Sequence, residues 1–511
     1  MTSPPPIRLS VLLADLAVAP VGAADVVVTG LALDSRTVAP GNLWVALPGQ
    51  RAHGAQFVDT AVTAGAAVVL TDEVGSGLVG DRLPVVVVAD PRLTMADLAA
   101  RFHGYPSQRL TMLGVTGTNG KTTTTFLLEA ALAAAGHRVG TIGTIGFRLA
   151  GEPVEVARTT VTTPESLDLQ ALLARFVGQG ADAVVMEVSS HALALERVRA
   201  VGFDVAGFTN LGRDHLDFHP TLEDYFETKA RLFEPDRCRH AVVMTTDDHG
   251  RLLASRLRAA KAPALTTVGT AADDDIRLLS SEPTPEGGTR VRIAGALGER
   301  ELSIDLPGAH NGRNAVLALA MAAVVGVDPD QAMAGLRHAQ VPGRMQRIPL
   351  GPPRQGEQAT PTVFVDFAHT PQAIEEAVRV GDQFSRTAVV VGAGGDRDSA
   401  KRSMMGGAAA HADLVVVTDD NPRTEDPARI RLAVEQGARA VAETRPGATV
   451  VQCADRAAAI AHALRWAEPD DVVLVLGKGH EQGQIVGDRV LPFDDADVVV
   501  EEWAMIAREQ S

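Results

Sequence analysis

The sequence predicts an α/β protein of three domains, built on mostly parallel sheets with helices on both faces. Short β-branched apolar runs alternate with helical stretches, and each run ends in a polar or glycine-rich cluster. Near-continuous apolar strands of this kind are typical of parallel sheets buried on both sides. A chain of 511 residues with 46% apolar content also exceeds what one hydrophobic core usually serves, so several domains are expected.

The predicted elements follow these runs in chain order. Strands are expected at 26–28, 85–88, 110–114, 183–186, 205–208, 241–244, 363–365, 388–391, 414–417 and 472–476. Helices are expected at 126–135 and 225–233, and a glycine turn between 290–293 and 301–304 predicts a hairpin. Changes of pattern divide the chain into domains at 1–107, 108–341 and 342–511, with a hinge at Pro342-Gly343-Arg344. Because parallel sheets bind ligands beyond the carboxyl ends of their strands, the polar clusters are the candidate sites.

The most specific cluster is a glycine-rich loop between a predicted strand and a predicted helix. Its residues are Gly117, Thr118, Asn119, Gly120, Lys121, Thr122 and Thr123. A phosphate there would meet backbone N–H groups, the positive end of the helix dipole and the Lys121 ammonium, and a threonine hydroxyl could reach Mg²⁺. The loop departs from the Walker A pattern, because Val115 stands where the first glycine would be. We expect it to bind ATP; the alternative is a glycine turn with a buried lysine and no nucleotide.

Charge and cysteine content restrict the partners. A net charge of −16 argues against nucleic acid or an anionic membrane surface as a general partner. Residues 1–10 lack a basic region followed by an apolar one, and no run reaches about 18 uninterrupted apolar residues, so neither export nor membrane insertion is expected. Cys238 and Cys453 lie far apart without metal-type spacing. A reducing, cytoplasmic setting is the expectation.

Three further residues should lie near the loop. Glu187 and His215 each follow a strand that should neighbour it, and Lys229 stands among apolar residues of the predicted helix 225–233. A desolvated lysine shifts toward its neutral amine, which can react with CO₂ to give a carbamate, an anionic oxygen ligand suited to Mg²⁺. Taken singly, a structural His or Glu and a surface lysine are the commoner explanations.

Nine motifs, in order, resemble those of the Mur ligase family. They are G-T-N-G-K-T-T, E-V-S-S-H, N-L-x-R-D-H-L-D, P-G-A-H-N-x-x-N-A, P-G-R-M, D-F-A-H-T-P, G-G-D-R-D, D-D-N-P-R and G-K-G-H-E. The resemblance runs from Asp34 to about Glu481, nearly the whole chain, and is closest to the branch that adds diaminopimelate.

The resemblance implies an ATP-dependent amide ligase of peptidoglycan precursor synthesis. ATP would phosphorylate the free carboxylate of UDP-N-acetylmuramoyl-L-alanyl-D-glutamate, and an amine of meso-diaminopimelate would attack the acyl phosphate. By motif match, Lys121 would hold the β- and γ-phosphates, and two Mg²⁺ sites would use Thr122, Glu187, His215 and Lys229 as N6-carboxylysine. The other implied nucleotide residues are Asn311, Asn314, Arg344, Asp366 and His369. Such chemistry needs charge neutralisation and domain closure.

The same resemblance implies where the nucleotide-linked dipeptide binds. The first domain is similar to a uridine-binding domain, with Ser35 as its best-matched contact. The muramoyl dipeptide would be held by Thr162, Thr163, Ser189, Arg197 and Lys229. Leu195 departs from the pattern, because many relatives carry Gln there; the diphosphate or peptide contact made by that Gln is lost or supplied elsewhere.

The segment Asp420-Asn421-Pro422-Arg423 resembles the signature of the diaminopimelate-adding branch. A guanidinium can grip the distal carboxylate of diaminopimelate in two parallel hydrogen bonds, which lysine cannot accept. By analogy with other polar-reading sites, this discrimination is worth ~10⁴-fold. The implied contacts to diaminopimelate come from Arg397, Asp420, Asn421, Arg423, Gly477 and Glu481. In isolation, Asn-Pro-Arg would be read only as a turn after a strand.

Rival interpretations stay open at this point. A lysine-adding sister ligase is disfavoured by Arg423, and a folylpolyglutamate synthase by the full first domain. A P-loop kinase or ATPase would leave the segment 420–423 unexplained. A non-catalytic relative is disfavoured because Lys121, Glu187, His215 and Lys229 are all present. We expect a monomer, since nothing suggests a helical interface stripe.

Overall fold

The computed structural model describes residues 4–14, 26–49, 52–156, 162–215, 218–284, 287–353, 359–445 and 447–509. Leu216 and Asp217 of the N-L-x-R-D-H-L-D motif lie outside these ranges. Within them, three α/β units follow one another along the chain, and the central sheet is mostly parallel. The predicted fold class is therefore confirmed.

The first unit is built on a parallel sheet. Its elements are β1 (Ile7–Arg8), α1 (Leu9–Leu12), β2 (Val27–Val28), β3 (Gly30–Ala32), β4 (Asn42–Val45), α2 (Val58–Thr63), β5 (Val68–Thr71), α3 (Glu73–Val79), β6 (Val85–Val87) and α4 (Pro91–Phe102). Strands β3, β4, β5 and β6 pair in this order and in parallel. The predicted strand 26–28 corresponds to β2, which instead pairs antiparallel with β1.

The second unit contains the largest sheet of the described chain. Its elements are β7 (Thr111–Thr116), α5 (Lys121–Ala134), β8 (Val139–Gly143), β9 (Gly146–Leu149), β10 (Glu152–Pro153), α6 (Ser166–Gly178), β11 (Ala183–Glu187), α7 (Ser190–Ala194), β12 (Phe203–Phe208), α8 (Leu222–Ala230), β13 (Cys238–Met244), α9 (Asp248–Ala260), β14 (Ala264–Gly269), β15 (Ile276–Pro283), β16 (Thr289–Gly295), β17 (Arg300–Ile304), α10 (Ala309–Val324) and α11 (Pro329–Arg337). The strand order is β10-β9-β8-β11-β7-β12-β13-β14-β15-β16-β17. Strands β8 to β15 in this order are parallel, and the antiparallel β16–β17 pair confirms the predicted hairpin.

Successive side chains of the central strands enter two separate cores. Met112 and Val184 pack with α6 on one face, whereas Leu113 and Val185 pack with α5 and α10 on the other. Burial on both faces explains the continuous apolar runs in the sequence. The register pairs Leu113 with Val185, so β7 and β11 end together at the same edge of the sheet.

The third unit is a second parallel sheet between helices. Its elements are β18 (Gln346–Arg347), β19 (Thr362–Asp366), α12 (Pro371–Val380), β20 (Thr387–Val391), α13 (Lys401–Ala409), β21 (Leu414–Val417), α14 (Pro427–Ala442), β22 (Thr449–Gln452), α15 (Arg456–Trp466), β23 (Val472–Leu476), β24 (Gly483–Val486), β25 (Arg489–Pro492) and α16 (Asp495–Glu509). The order is β18-β19-β23-β20-β21-β22, and β18 alone among these described strands runs antiparallel. None of the helices within the described ranges has the length and apolar character that a membrane crossing requires.

Candidate functional site

A cavity of about 1030 Å³ lies between the carboxyl ends of the central strands and those of the third unit. The predicted site residues that line it are Thr118, Asn119, Gly120, Lys121, Thr122, Thr123, Thr162, Thr163, Glu187, Ser189, Arg197, His215, Lys229, Asn311, Asn314, Arg344, Asp366, His369, Arg397, Asp420, Asn421, Arg423, Gly477 and Glu481. Gly117 adjoins it through its carbonyl group, which accepts a hydrogen bond from Lys121. Ser35 does not line it and lies in a short 3-10 turn of the first unit, Ser35–Thr37.

The loop after β7 has a backbone that only glycine fits at two positions. Gly117 and Gly120 have φ angles of +145° and +88°. A Cβ on Gly117 would lie 1.9 Å from Thr209 Oγ1, and one on Gly120 would lie 2.5 Å from Asn314 Oδ1. Val115 is a buried residue of β7, so the chain has not yet turned where Walker A loops place their first glycine. Helix α5 begins directly after Gly120, and its N-terminus favours an anion.

Two lysine side chains converge on this loop. Lys121 Nζ donates to the carbonyl oxygens of Gly117 and Thr118 at 2.8 and 2.9 Å, and Lys229 Nζ donates to that of Gly117 at 2.8 Å. Lys229 is 1% exposed, and its Nζ lies 4.4 Å from the centroid of the Tyr225 ring. Burial, reinforced by the Lys121 charge, holds the pKa of the Lys229 amine well below its ordinary value. The neutral amine is the form that reacts with CO₂.

Glu187 is fixed at the end of β11 by two threonine residues. Thr122 Oγ1 donates to Glu187 Oε1 at 3.0 Å. Thr144 donates through its N–H to Oε1 at 2.8 Å and through its hydroxyl to Oε2 at 3.1 Å. Arg344 Nη2 reaches the same Thr122 Oγ1 from the hinge at 3.3 Å. Thr122 and Glu187 therefore present adjacent oxygen atoms, the ligand type that Mg²⁺ prefers.

His215 lies beside Asp214 on the opposite wall. Its Nε2 is 3.6 Å from Asp214 Oδ2, and its ring centroid is 5.0 Å from that of His191. Burial lowers the pKa of His215 to about 4, so the imidazole is neutral near pH 7 and able to bind a metal. No group of three or more His, Cys, Asp and Glu side chains in the described ranges could hold a metal by itself.

The third unit contacts the loop near the predicted hinge. Asp366 accepts hydrogen bonds from the N–H groups of Met345 at 2.6 Å and Ala368 at 2.8 Å. The Arg344 guanidinium lies 4.5 Å from the centroid of the Phe367 ring. Burial raises the pKa of Asp366, although the Arg344 charge opposes this shift. Arg344 thus lies beside the end of β19, the strand that contains Asp366.

A second contact between these units was not predicted from the sequence. Glu376 on α12 pairs with Arg313 at 3.1 Å and with His310 at 3.2 Å, both on α10. Asn311 and Asn314 belong to the same helix, and the Asn311 side chain donates to the Pro307 carbonyl at 2.8 Å. The motif P-G-A-H-N contains His310, but nothing in the sequence pointed to its partner on α12.

Arg197 is held by a glutamate that the sequence reasoning missed. Its Nε and Nη2 lie 2.9 and 2.8 Å from Glu165 Oε1, and its Nη1 donates to the Thr163 carbonyl at 3.1 Å. Arg92 of the first unit pairs with Glu165 Oε2 at 3.0 Å and reaches the Leu195 carbonyl at 3.5 Å. The signal for Glu165 was its place directly after Thr-Thr-Pro. Leu195 thus takes part in an interdomain contact through its backbone.

The clusters after β21 and β23 meet at the far end of the cavity. Asn421 Nδ2 donates to Glu481 Oε2 at 2.7 Å. Gly477 has a φ of +115°, and a Cβ there would lie 2.5 Å from Asp420 Oδ2. Both carboxylates and the amide therefore share one wall, and the close approach of the two loops requires glycine.

Arg423 is anchored by its backbone to the β24–β25 hairpin. Its N–H donates to the Ile485 carbonyl at 3.0 Å, and its own carbonyl accepts from Gly487 at 2.7 Å. Its Nη1 donates to the Gly395 carbonyl at 2.7 Å. Arg397 lines the same part of the cavity. The two arginines thus enter the cavity from neighbouring loops.

Three Mur ligase family models match successive parts of the chain. They are the Mur ligase family catalytic domain at 27–103, the Mur ligase middle domain at 115–322 and the Mur ligase glutamate ligase domain at 343–479.

Named relatives match over almost the whole chain. The UDP-N-acetylmuramoyl-L-alanyl-D-glutamate–2,6-diaminopimelate ligase of Streptomyces coelicolor is 44% identical over 98% of this chain and 97% of its own length. The protein of the same name from Corynebacterium efficiens is 45% identical over 93% of this chain and 90% of its own. A solved structure of a protein with this name superposes with a TM-score of 0.68 at 29% identity, covering 98% of this chain and 99% of that one. The chain therefore belongs to the Mur ligase family.

Proposed function

We propose that the chain is an ATP-dependent ligase that adds meso-diaminopimelate to UDP-N-acetylmuramoyl-L-alanyl-D-glutamate in cytoplasmic peptidoglycan precursor synthesis. The main support is that one cavity is lined both by the phosphate-type loop of the central unit and by the segment 420–423 of the third. The names of the relatives at 44% and 45% identity agree with this proposal.

The first step transfers the γ-phosphoryl group of ATP to the free carboxylate of the dipeptide. A carboxylate oxygen forms a bond to phosphorus as the bond to the β–γ bridging oxygen breaks, and ADP leaves. The charge on the phosphoryl oxygens is the main obstacle. The loop N–H groups and the Lys121 ammonium are placed to neutralise it, because α5 and Lys121 both face this loop.

The residues present fit two Mg²⁺ ions, which would neutralise phosphate charge when bound. Thr122 and Glu187 would hold one, since their oxygen atoms lie 3.0 Å apart. His215 and Lys229, the latter as N6-carboxylysine, would hold the other. The lowered pKa values of both side chains, caused mainly by burial, support this assignment.

The second step forms the amide. An amine of diaminopimelate attacks the acyl carbon, the tetrahedral intermediate expels phosphate, and the nitrogen loses a proton. Arg397 would orient the carboxylate at the reacting end and Arg423 the distal carboxylate. Asp420 and Glu481 would receive the distal ammonium, with Asn421 and the Gly477 carbonyl as further partners.

The remaining assignments complete the proposal. Arg344, Asp366, His369, Asn311 and Asn314 would contact the nucleotide, and Thr162, Thr163, Ser189 and Arg197 the muramoyl dipeptide. Ser35 would contact the uridine, with domain boundaries near 107 and 341. We expect a monomer, because nothing in the sequence suggests a helical interface stripe.

The test is ATP- and Mg²⁺-dependent phosphate release with UDP-N-acetylmuramoyl-L-alanyl-D-glutamate, in parallel reactions with meso-diaminopimelate and L-lysine. Release and a new tripeptide product with diaminopimelate alone support the proposal. Turnover with lysine instead assigns the chain to a lysine-adding enzyme, and turnover with neither rejects both.

A further inference from the structure

Lys478 lies inside the G-K-G-H-E motif but does not line the cavity. Its side chain is fully buried, at 0% exposure, behind the wall formed by the clusters after β21 and β23. Its Nζ donates to the Gly483 carbonyl at 2.5 Å, which anchors it to the first strand of the β24–β25 hairpin. A buried ammonium is costly unless it is paired, so its remaining partners are informative.

Those partners are three of the proposed diaminopimelate contacts. Lys478 Nζ lies 3.8 Å from Asp420 Oδ1, 3.4 Å from Glu481 Oε2 and 3.3 Å from Asn421 Oδ1. Asp420, Asn421 and Glu481 all line the cavity, so one ammonium contacts the set from behind. Its position links two loops that are about sixty residues apart in the sequence.

The Asn421 amide is oriented by the same arrangement. Its Oδ1 accepts from Lys478 and from the Ile485 N–H at 2.8 Å, which leaves its Nδ2 to donate to Glu481 Oε2 at 2.7 Å. Removing the lysine would take the charged donor away from both Asn421 Oδ1 and Glu481 Oε2, so the Glu481 carboxylate would be free to turn.

The charges add a second consequence. Two carboxylates and the Lys478 ammonium carry a net charge of −1, which a single substrate ammonium balances. Arg456 is also buried nearby, but its guanidinium is engaged by Asp495 in two hydrogen bonds of 2.7 Å. Without Lys478 the two carboxylates would face each other with a net charge of −2, an arrangement in which like charges repel.

We infer that Lys478 is a positioning residue, which holds Asp420, Asn421 and Glu481 in the arrangement that receives the distal ammonium of diaminopimelate. The inference rests on the proposed function and deepens it. Lys478 contacts no substrate itself, so its replacement should change recognition of the distal ammonium and leave phosphoryl transfer intact.

The test compares Lys478→Met with the wild type on two amino-acid substrates. The first is meso-diaminopimelate, and the second is 2-aminopimelate, which keeps both carboxylates but lacks the distal amine. Loss of a charge-assisted contact predicts a KM for diaminopimelate raised about 10- to 100-fold. The KM for 2-aminopimelate should change less than about threefold, because the group that Lys478 serves is missing from it.

A trapping assay, a second variant and a control variant separate this outcome from misfolding. Acyl phosphate formation without any amino acid, trapped by hydroxylamine as the hydroxamate, should be unchanged in the variant. If Lys478→Met folds poorly, Lys478→Gln takes its place, because it keeps a polar side chain but loses the charge; the same selective rise in the KM for diaminopimelate is expected. Lys261→Met replaces an exposed lysine at the end of α9 and should match the wild type.

Three outcomes would overturn the role given to Lys478. An unchanged KM for diaminopimelate overturns the inference, and so does an equal rise for both substrates, which would mean a general structural role. A wild-type enzyme that forms acyl phosphate but accepts no diaminopimelate overturns the proposed substrate, and this inference with it.

Discussion

Replacing Arg423 by alanine should reduce the use of diaminopimelate far more than the use of lysine. In the structure Nη1 of the guanidinium donates to the carbonyl oxygens of Gly395 at 2.7 Å and Asn421 at 3.5 Å, so the N–H groups of Nε and Nη2 can grip a distal carboxylate. Hydrogen bonds to charged groups contribute about 1.5–3 kcal/mol each. Two such bonds, discounted because Arg423 is only half-buried, amount to about 3 kcal/mol. This corresponds to a loss of about 100-fold in kcat/KM for diaminopimelate.

The assay is initial-rate phosphate release at varied amino-acid concentration. Because lysine lacks the distal carboxylate, its low kcat/KM should change by less than about threefold, so the preference for diaminopimelate should shrink by the full factor. Arg429→Ala is the matched control, since that arginine is 87% exposed on α14 and should have no effect. An equal loss for both amino acids, or no loss, would refute the assignment of Arg423 to the distal carboxylate.

Three further outcomes are expected. Glu165→Gln removes the carboxylate that holds Arg197, so the KM for the UDP-linked dipeptide should rise about tenfold while that for ATP stays constant; a rise in both would contradict the placement. The buried Lys229 amine should need CO₂, so activity should fall in CO₂-depleted buffer and return with bicarbonate, whereas Lys229→Arg should not respond. Burial lowers the pKa of His103 from 6.5 to about 4, so between these pH values the unfolded chain binds a proton that the folded chain does not. The free energy of unfolding should therefore fall as the pH drops from 6.5 toward 4. Urea unfolding at pH 7 and pH 5 should show a smaller loss of stability in His103→Gln than in the wild type, and an equal loss would exclude this cause.

Most strands with a continuous apolar run were predicted, although β5 was not, and some strands shaped by their neighbours were missed. β11 and β23 are buried along their whole length, and their sequences show it. β8 was missed because glycines interrupt it. A Cβ on Gly140 would lie 2.6 Å from the Phe176 ring, and one on Gly143 would lie 2.3 Å from Glu187 Oε1. These two positions require glycine because of contacts with Phe176 and Glu187 that form only in the folded sheet.

The helix after the loop shows a similar limit. The sequence favoured a helix from 126, whereas α5 begins at Lys121 and includes Thr122 to Thr125. β-Branched residues have weak helix propensity, so this first turn depends on its packing under the loop and not on local preference.

Within the site, the motifs led to the lining residues and not to the side chains behind them. Glu165 and Lys478 lie behind the lining and act on partners distant in sequence, and Thr144, which does line the cavity, follows the missed strand β8. A single polar residue carries no sign of such a partner until the sheets bring the two together.

The hydroxyl of Thr122 has one proton and two lone pairs, and two parts of the protein already use it. The proton goes to Glu187, so the Arg344 guanidinium must take a lone pair. One lone pair remains, so a cation bound to this oxygen would lie beside the positive charge of the arginine. Because like charges repel, a cation at the loop and the position of the Arg344 guanidinium depend on each other through this one atom.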